Sequence, residues 1–411
     1  VSHDALFVRH QRRLTDEAIG EVYSRFRDSE HDLAAFERLL SVVRRVARGL
    51  LLAPPVDGRH VGVFAIANMS RFAGRFIREP ETWTGASEGL PGTIASLAQH
   101  LFGRYRTPRF LAKAWYAADD RGEIKREWYM AHANGGSFRS IAPELRMTRA
   151  MEDAFLKTPD HLEIEAGLRR AELLVLGADP PLVEAVMSTL LASDADHAGF
   201  WRSFLVLLMA ARSKLALHQI GPMVDFLHAI RHQRVQAQGE NGPVTIEPPR
   251  PDFSLRGRTL GSVQRMVAAW HRGLELPNGS DFTWSASSSR PMAFAVEQSD
   301  PEAPSVRFEI TELTSAASLA WEGSRLGHCV ATYAHKCLHR QSSIWSLRRF
   351  VDDKPGKPIA TIEVDPKRRR IVQLRGYKNC WVTGAPERYV REWASRERLF
   401  IPSGLESRWL L

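Results

Sequence analysis

From the N-terminus to about Leu274, apolar residues recur at three and four positions, the spacing of one helix face, with stop signals between the segments. Asp32 is placed to cap a helix over Leu33 through Leu52, which carries an apolar stripe opposite arginines and ends before Pro54 and Pro55. Thr107 followed by Pro108 starts another, because proline at the first helical position loses no needed donor. Asp179 with Pro180 and Pro181 repeats the device before Leu182 to Leu191. Phe200 to Ala211 is apolar nearly all round, so that helix is expected at the centre of the bundle. Ser140 to Phe155 has the outline of two helices joined by a short turn, a faint helix-turn-helix pattern. Gly261 to Leu274, with Val263, Met266, Val267 and Trp270, closes the helical run.

After Asn278, Gly279 and Ser280 the signal switches to short stretches rich in Val, Ile, Thr, Phe and Trp. Strands are predicted over Phe282–Ala286, Met292–Glu297, Val306–Thr311, Ser343–Phe350, Ile359–Val364 and Ile371–Arg375. Helices are predicted over Ser315–Gly323, Cys329–His339 and Pro386–Leu399. The expected architecture is therefore multidomain: an all-α domain over residues 1–275, followed by an α+β domain with a mainly antiparallel sheet over residues 276–411.

Composition narrows the class. The 411 residues are 44% apolar and 25% charged, the balance of a folded globular chain and not of a disordered or fibrous one. Three cysteines make a disulfide framework unlikely and suit a reducing, cytoplasmic setting. The polar stretch Val1 to Arg13 has no apolar secretory core, and no run of apolar residues is long enough for a membrane span, so no membrane partner is expected. The net charge of +9 is concentrated: twelve basic residues between Lys336 and Lys378 face four acids. That surplus favours a nucleic acid or other polyanion, although a charge run also serves simply as a solvated face.

Chemistry-bearing residues cluster in the same region. At 100 degrees per residue, His328, Thr332, His335 and His339 form one polar stripe, opposite Val330, Tyr333, Ala334, Cys337 and Leu338, with Cys329 at the edge. At period two, Glu363 and Thr361 oppose Ala360, Ile362 and Val364, while Gln373 and Arg375 oppose Val372 and Leu374. A hairpin closed over Asp365–Arg370 would bring Glu363, Gln373 and Arg375 onto one face, with Asn379 turning back toward it after Gly376.

Glu322-Gly323, His328-Cys329-Val330, Tyr333, Thr361-Ile362-Glu363-Val364, Gln373, Arg375-Gly376 and Asn379, in that order, resemble the signature of the PcfJ-like proteins. The resemblance covers about residues 250–400, including the Gly257-Arg258-Thr259 to Trp270-His271 stretch, and is loose over the preceding helices. It implies a bacterial, phage or mobile-element origin, after a family named for a protein of a conjugative plasmid. It names the domain and brings no activity with it.

Several chemistries fit these residues. Nucleic-acid binding would use Arg348, Arg349, Lys367, Arg368, Arg369, Arg370 and Lys378 on phosphates, with Trp345, Tyr377 and Trp381 as stacking surfaces. This is the leading expectation, an accessory or regulatory protein acting through its basic hairpin. A cysteine hydrolase or transferase would use Cys329 at a helix start, an order that resembles the papain-type thiol hydrolases. Its site would comprise His328, Cys329, Tyr333, Glu363, Gln373, Arg375 and Asn379, yet no histidine lies on the later strands, and a core cysteine is the plainer reading. The polar residues of that set also suit a nucleotide or phosphate-bearing ligand, or a network that satisfies itself. His335 and His339 are four apart, but Cys337 lies opposite and no CxxC pair exists, so no metal is assigned. The absence of Gly-rich phosphate loops and kinase signatures leaves no cofactor to expect.

Overall fold

Prolines, glycines and capping side chains punctuate the helices of the first 274 residues, which range from single turns to the 23-residue His3–Arg25 helix. The computed structural model of the chain describes residues 3–53, 60–85, 89–116, 121–239, 242–274, 283–295, 304–328, 330–352, 354–377, 382 and 384–401. It divides into two compact units, Val1–Val175 and Leu176–Leu411, so the change of secondary structure near residue 275 falls inside the second.

The first unit consists of helices and the turns that join them, with no strand among its described residues. The predicted Leu33–Leu52 helix is two helices, Glu30–Val46 and Gly49–Leu52, with Ser29 rather than Asp32 as the cap. After Pro108 the chain winds as a 3-10 helix, Arg109–Trp115, and its Trp115 stacks on Phe102 with ring centroids 4.4 Å apart. The helix-turn-helix outline over Ser140–Phe155 resolves into a four-residue turn of helix, Phe138–Ile141, a 3-10 turn and the Arg149–Leu156 helix. So short a first helix cannot support a groove-reading partner.

In the second unit, Asp179 caps the Pro180–Met187 helix, its carboxylate accepting from the Leu182 amide at 3.0 Å. The Ala198–Ala210 helix buries Trp201, Phe204, Leu205 and Leu208, but Arg202, Ser203 and Val206 are exposed. It is therefore a surface helix and not the centre of a bundle: packing uses one face, whatever the composition of the other. The Ile220–Arg231 helix follows, then an antiparallel hairpin of β1 (Val235–Gly239) and β2 (Gly242–Ile246) that interrupts the predicted helical run. In β1, Val235, Ala237 and Gly239 alternate with Gln236 and Gln238, the period of a strand and not of a helix, and β2 carries the consecutive β-branched residues Val244, Thr245 and Ile246. The amphipathic Leu260–Leu274 helix completes this part.

The remaining strands form one antiparallel sheet in sequence order: β3 (Met292–Ala295), β4 (Val306–Leu313), β5 (Ser343–Val351), β6 (Lys357–Asp365) and β7 (Arg370–Gly376). The predicted Phe282–Ala286 strand is reduced to a single bridge, Thr283 with Ser315, among its described residues. One face of the sheet packs Trp345, Leu347, Ala360, Ile362, Ile371 and Leu374 against Val390 and Trp393 of the Ala385–Arg396 helix. The other face carries Leu313 and Ile344 into a smaller apolar cluster with Leu319 of the Ala316–Leu326 helix, Val330 and Cys337. That helix starts in a capping box between Ser315 and Ser318 and ends at Gly327, whose φ of 66° is the left-handed conformation of a helix stop. The predicted Cys329–His339 helix is instead a 3-10 turn, Val330–Tyr333, followed by the short Ala334–Leu338 helix. The change of winding breaks the 100-degree register, so the polar stripe through His328, Thr332, His335 and His339 does not form as one helix face.

Candidate functional site

Register alone assembles the floor of the site. Ser346, Thr361 and Arg375 stand opposite one another across β5, β6 and β7, and Ile344, Glu363 and Gln373 form the next row on the same face. The grouping of Glu363, Gln373 and Arg375 is thus present, as a period-two hairpin requires. Asp365 shapes the turn, accepting from the Lys367 and Arg368 amides at 3.0 and 2.9 Å.

The Ala316–Leu326 helix lies over this face and packs on β6. Its Glu322 is wholly buried, and one carboxylate oxygen accepts from Ser346 Oγ at 2.9 Å, the other from Thr361 Oγ1 at 3.1 Å. Thr361 Oγ1 lies 3.0 Å from His328 Nε2; when Glu322 is ionised the Thr361 proton goes to it, and the imidazole tautomer that carries Nε2–H donates to Thr361. Glu322, Thr361 and His328 therefore form one hydrogen-bonded chain. Arg348 Nη2 stands 3.8 Å from Glu322, and its guanidinium stacks over Trp321. Burial outweighs these partners and pushes the Glu322 carboxyl up to about 7.

Gly323 lets the chain return to this point. Its carbonyl accepts from the amides of Gly327 and His328, and a Cβ added there would lie 2.8 Å from the His328 carbonyl oxygen. Gly323→Ala is expected to push the His328 backbone outward at a cost of about 1–3 kcal/mol. Urea denaturation would measure the loss, and an unchanged midpoint would mean that the loop gives way freely.

Glu363 forms a second acidic centre. It accepts from Ser342 Oγ at 2.9 Å and from the Tyr333 hydroxyl, and burial raises its pKa against the lowering influence of Lys336. Lys336 Nζ sits 4.5 Å from the centre of the Tyr333 ring. His328, Tyr333, Thr361, Glu363, Gln373 and Arg375 all line one cavity of about 110 Å3, completed by Asp225 and His228 of the Ile220–Arg231 helix and by Ser188 and Thr189. A space of that size holds several waters or a small polar group. Burial lowers the pKa of His228, which keeps this second imidazole neutral near pH 7.

Of the other residues singled out from sequence, Cys329, Lys378, Asn379 and Trp381 lie outside the described residues. Cys337 is buried in the apolar cluster, and burial together with the Glu363 carboxylate pushes its thiol up to about 12, so it is not a thiolate near neutral pH. At the hairpin tip Lys367 and Arg368 are exposed, with Arg368 3.2 Å from Asp365. Arg369 bonds to the Glu397 carbonyl and to Ser288, and Arg370 bridges to Phe400, so both fasten the C-terminal segment. Arg348 belongs to the Glu322 cluster, while Arg349 is exposed opposite Lys357. Trp345 is buried beneath Trp393 and offers no stacking surface, whereas Tyr377 is exposed.

Thr361, Ser342, Ser346 and Lys336 were not singled out as site residues. Period two already put Thr361 beside Glu363 on the polar face; the others, and the contribution of Asp225 and His228, depend on contacts distant in sequence. Among the described residues no group of three or more His, Cys, Asp or Glu side chains is arranged to hold a metal, and no helix is long and apolar enough to cross a membrane. No curated protein and no solved structure matches the chain. Residues 295–384, which carry Glu322, His328, Thr361 and the β6–β7 hairpin, match the family model described as PcfJ-like protein, and by that match this segment is assigned to the PcfJ-like family.

Proposed function

We propose that the cavity takes up the phosphate group of a nucleotide or of another small phosphate-bearing ligand and that His328 is the group that exchanges a proton with it. The observation that carries this reading is the chain from the buried Glu322 through Thr361 to His328, which ends at the cavity wall. A carboxylate that fixes the orientation of an imidazole through a hydroxyl is arranged for acid–base work. Arg375 supplies a forked cation for an anionic group, and Gln373 an amide to orient it. The same arrangement suits a hydrolase or transferase, with Glu363 and Tyr333 as further proton-carrying groups.

A thermal melt in the presence of AMP, ADP, ATP or inorganic phosphate tests the reading. A ligand at about a hundred times its Kd adds about 2.7 kcal/mol, several degrees in melting temperature. Arg375→Gln is expected to abolish that rise relative to its own ligand-free midpoint. No rise with any of the four compounds would overturn the proposal.

The exposed Lys367 and Arg368, and the unlike-element pair Arg349 and Lys357, favour a second reading. In it the protein is an accessory or regulatory factor that contacts nucleic acid along the β6–β7 hairpin. The side-chain bonds of Arg369 to Ser288 and the Glu397 carbonyl reduce the charge available for it.

A further inference from the structure

A basic loop in the first unit has no part in the chemistry above. Arg104-Tyr105-Arg106-Thr107-Pro108-Arg109 joins the Gly89–Phe102 helix to the 3-10 helix that follows. Tyr105 is 63% exposed, the most open large side chain of its kind among the described residues. Arg104 and Arg106 flank it, both exposed, and neither guanidinium makes an ion pair or hydrogen bond among the described residues. Two hollows of about 220 and 420 Å3 adjoin the loop; Arg106 lines both, Arg109 the smaller, Arg104 and His100 the larger. Among the described residues no carboxylate lines either one. The neighbouring Glu79 and Glu81 are engaged by Arg38, which lies 2.6 Å from Glu81 Oε1.

The loop is held in shape before anything binds. Gln99 clamps it from both sides, donating to the Tyr105 carbonyl and accepting from the Thr107 amide, each at 2.9 Å. The Arg104 and Tyr105 amides both donate to the Ala133 carbonyl, and the Tyr105 ring passes so close to Gly135 that a Cβ there would lie 3.1 Å from it. Arg78 donates to the Gln99, His100 and Gly103 carbonyls, so it caps the helix end and is not counted toward a ligand. Ordering entropy that a loose loop would lose on binding is thereby already spent.

We propose that the Gly103–Arg109 loop binds single-stranded nucleic acid, with Arg104 and Arg106 on phosphates and the Tyr105 ring stacked on a base. An exposed ring between two cations is the arrangement that tracks a charged backbone while offering a platform to unpaired bases. A duplex keeps its base faces covered and gives the ring nothing to stack on.

The test is fluorescence anisotropy on the full chain with labelled oligo(dT) and oligo(U), long enough for a site of about 4–16 nucleotides. Arg104→Gln with Arg106→Gln is expected to weaken binding about tenfold or more and to lower the slope of log K against log salt by about 1.4. Tyr105→Ala is expected to weaken it about tenfold with the slope unchanged, and Tyr105→Phe to restore it. Binding of either strand with these effects supports the site, and the stronger of the two names the natural ligand as DNA or RNA. The proposal is overturned if the loop variants bind as the parent does, or if only Lys367→Ala with Arg368→Ala weakens binding, which would move the site to the hairpin. Equal binding of a duplex, or displacement of the strand by polyglutamate of equal charge, overturns it as well. Thermal melting of each variant at the parent's midpoint confirms that the fold is intact, and the Phe-for-Ala comparison isolates the ring from any loss of fold.

Discussion

Glu322→Ala is expected to cost about 3–5 kcal/mol of stability near pH 5. Two buried hydroxyls, Ser346 and Thr361, lose their acceptor, at about 1–3 kcal/mol each if left unsatisfied, and the wholly buried side chain leaves a void. The pH matters because burial raises the folded-state pKa from 4.5 to about 7. The folded protein holds this proton more tightly than the unfolded chain does. The resulting stability is complete below pH 4.5, falls as pH rises toward 7, and is lost above it, about 3 kcal/mol in all. Glu322→Gln removes that dependence while keeping shape and hydrogen bonding. Its stability relative to the parent should therefore improve from pH 5 to pH 8, in urea titrations at both values. Glu363 and Glu312, whose pKa values burial also raises, are common to all three proteins and cancel in the comparison. A difference between parent and Glu322→Gln that does not change with pH would refute the buried-acid assignment. A carboxyl kept in place although its charge destabilises the fold is what a proton-handling site requires and a purely structural contact does not.

Trp345→Ala carries the other large effect, about 3–5 kcal/mol, the usual range for emptying a fully buried aromatic site. Trp345 sits on the sheet face opposite the cavity, its ring 4.8 Å from that of Trp393 and its indole nitrogen donating to Ser343 Oγ at 3.2 Å. Its loss would unseat the Ala385–Arg396 helix, visible as a lower urea midpoint together with a weaker near-ultraviolet aromatic signal. A loss below 1 kcal/mol would mean that the two layers close over the void. Because Ser346 projects to the other face, the Glu322 chain should persist in the surviving folded fraction, still showing the pH dependence described above.

The two substitutions bracket what local sequence controls. Strands β4 to β7 and the Ala316–Leu326 and Ala385–Arg396 helices lie within a few residues of their predicted ranges, because period-two apolar alternation and cap residues act over a handful of neighbours. The predictions that failed depended on more distant partners. Apolarity all round the Ala198–Ala210 helix suggested a central position, but packing uses one face. The histidine stripe presumed a continuous helix after Gly327, whereas Gly323 draws His328 back against the preceding helix and the next turn winds as 3-10. Trp345 and Arg369 read as surface recognition groups, one in a basic stretch and one in a basic run. The fold uses the first as core and the second as a fastener for the C-terminal segment.

By itself the sequence determined which residues share a strand face, where the helices of the α+β region stop, and that positive charge is concentrated between Lys336 and Lys378, since each follows from periodicity, glycine and proline geometry, or composition. Only the tertiary structure decided that Glu322 reaches His328 through Thr361, that the Ile220–Arg231 helix completes the cavity, and that the hairpin's Arg369 is bonded to the C-terminal segment. The reason is range: a side chain's rotamer bias and its place on a helix or strand are local properties, but burial and hydrogen-bond partners depend on which distant segments the packed core brings within about 3 Å.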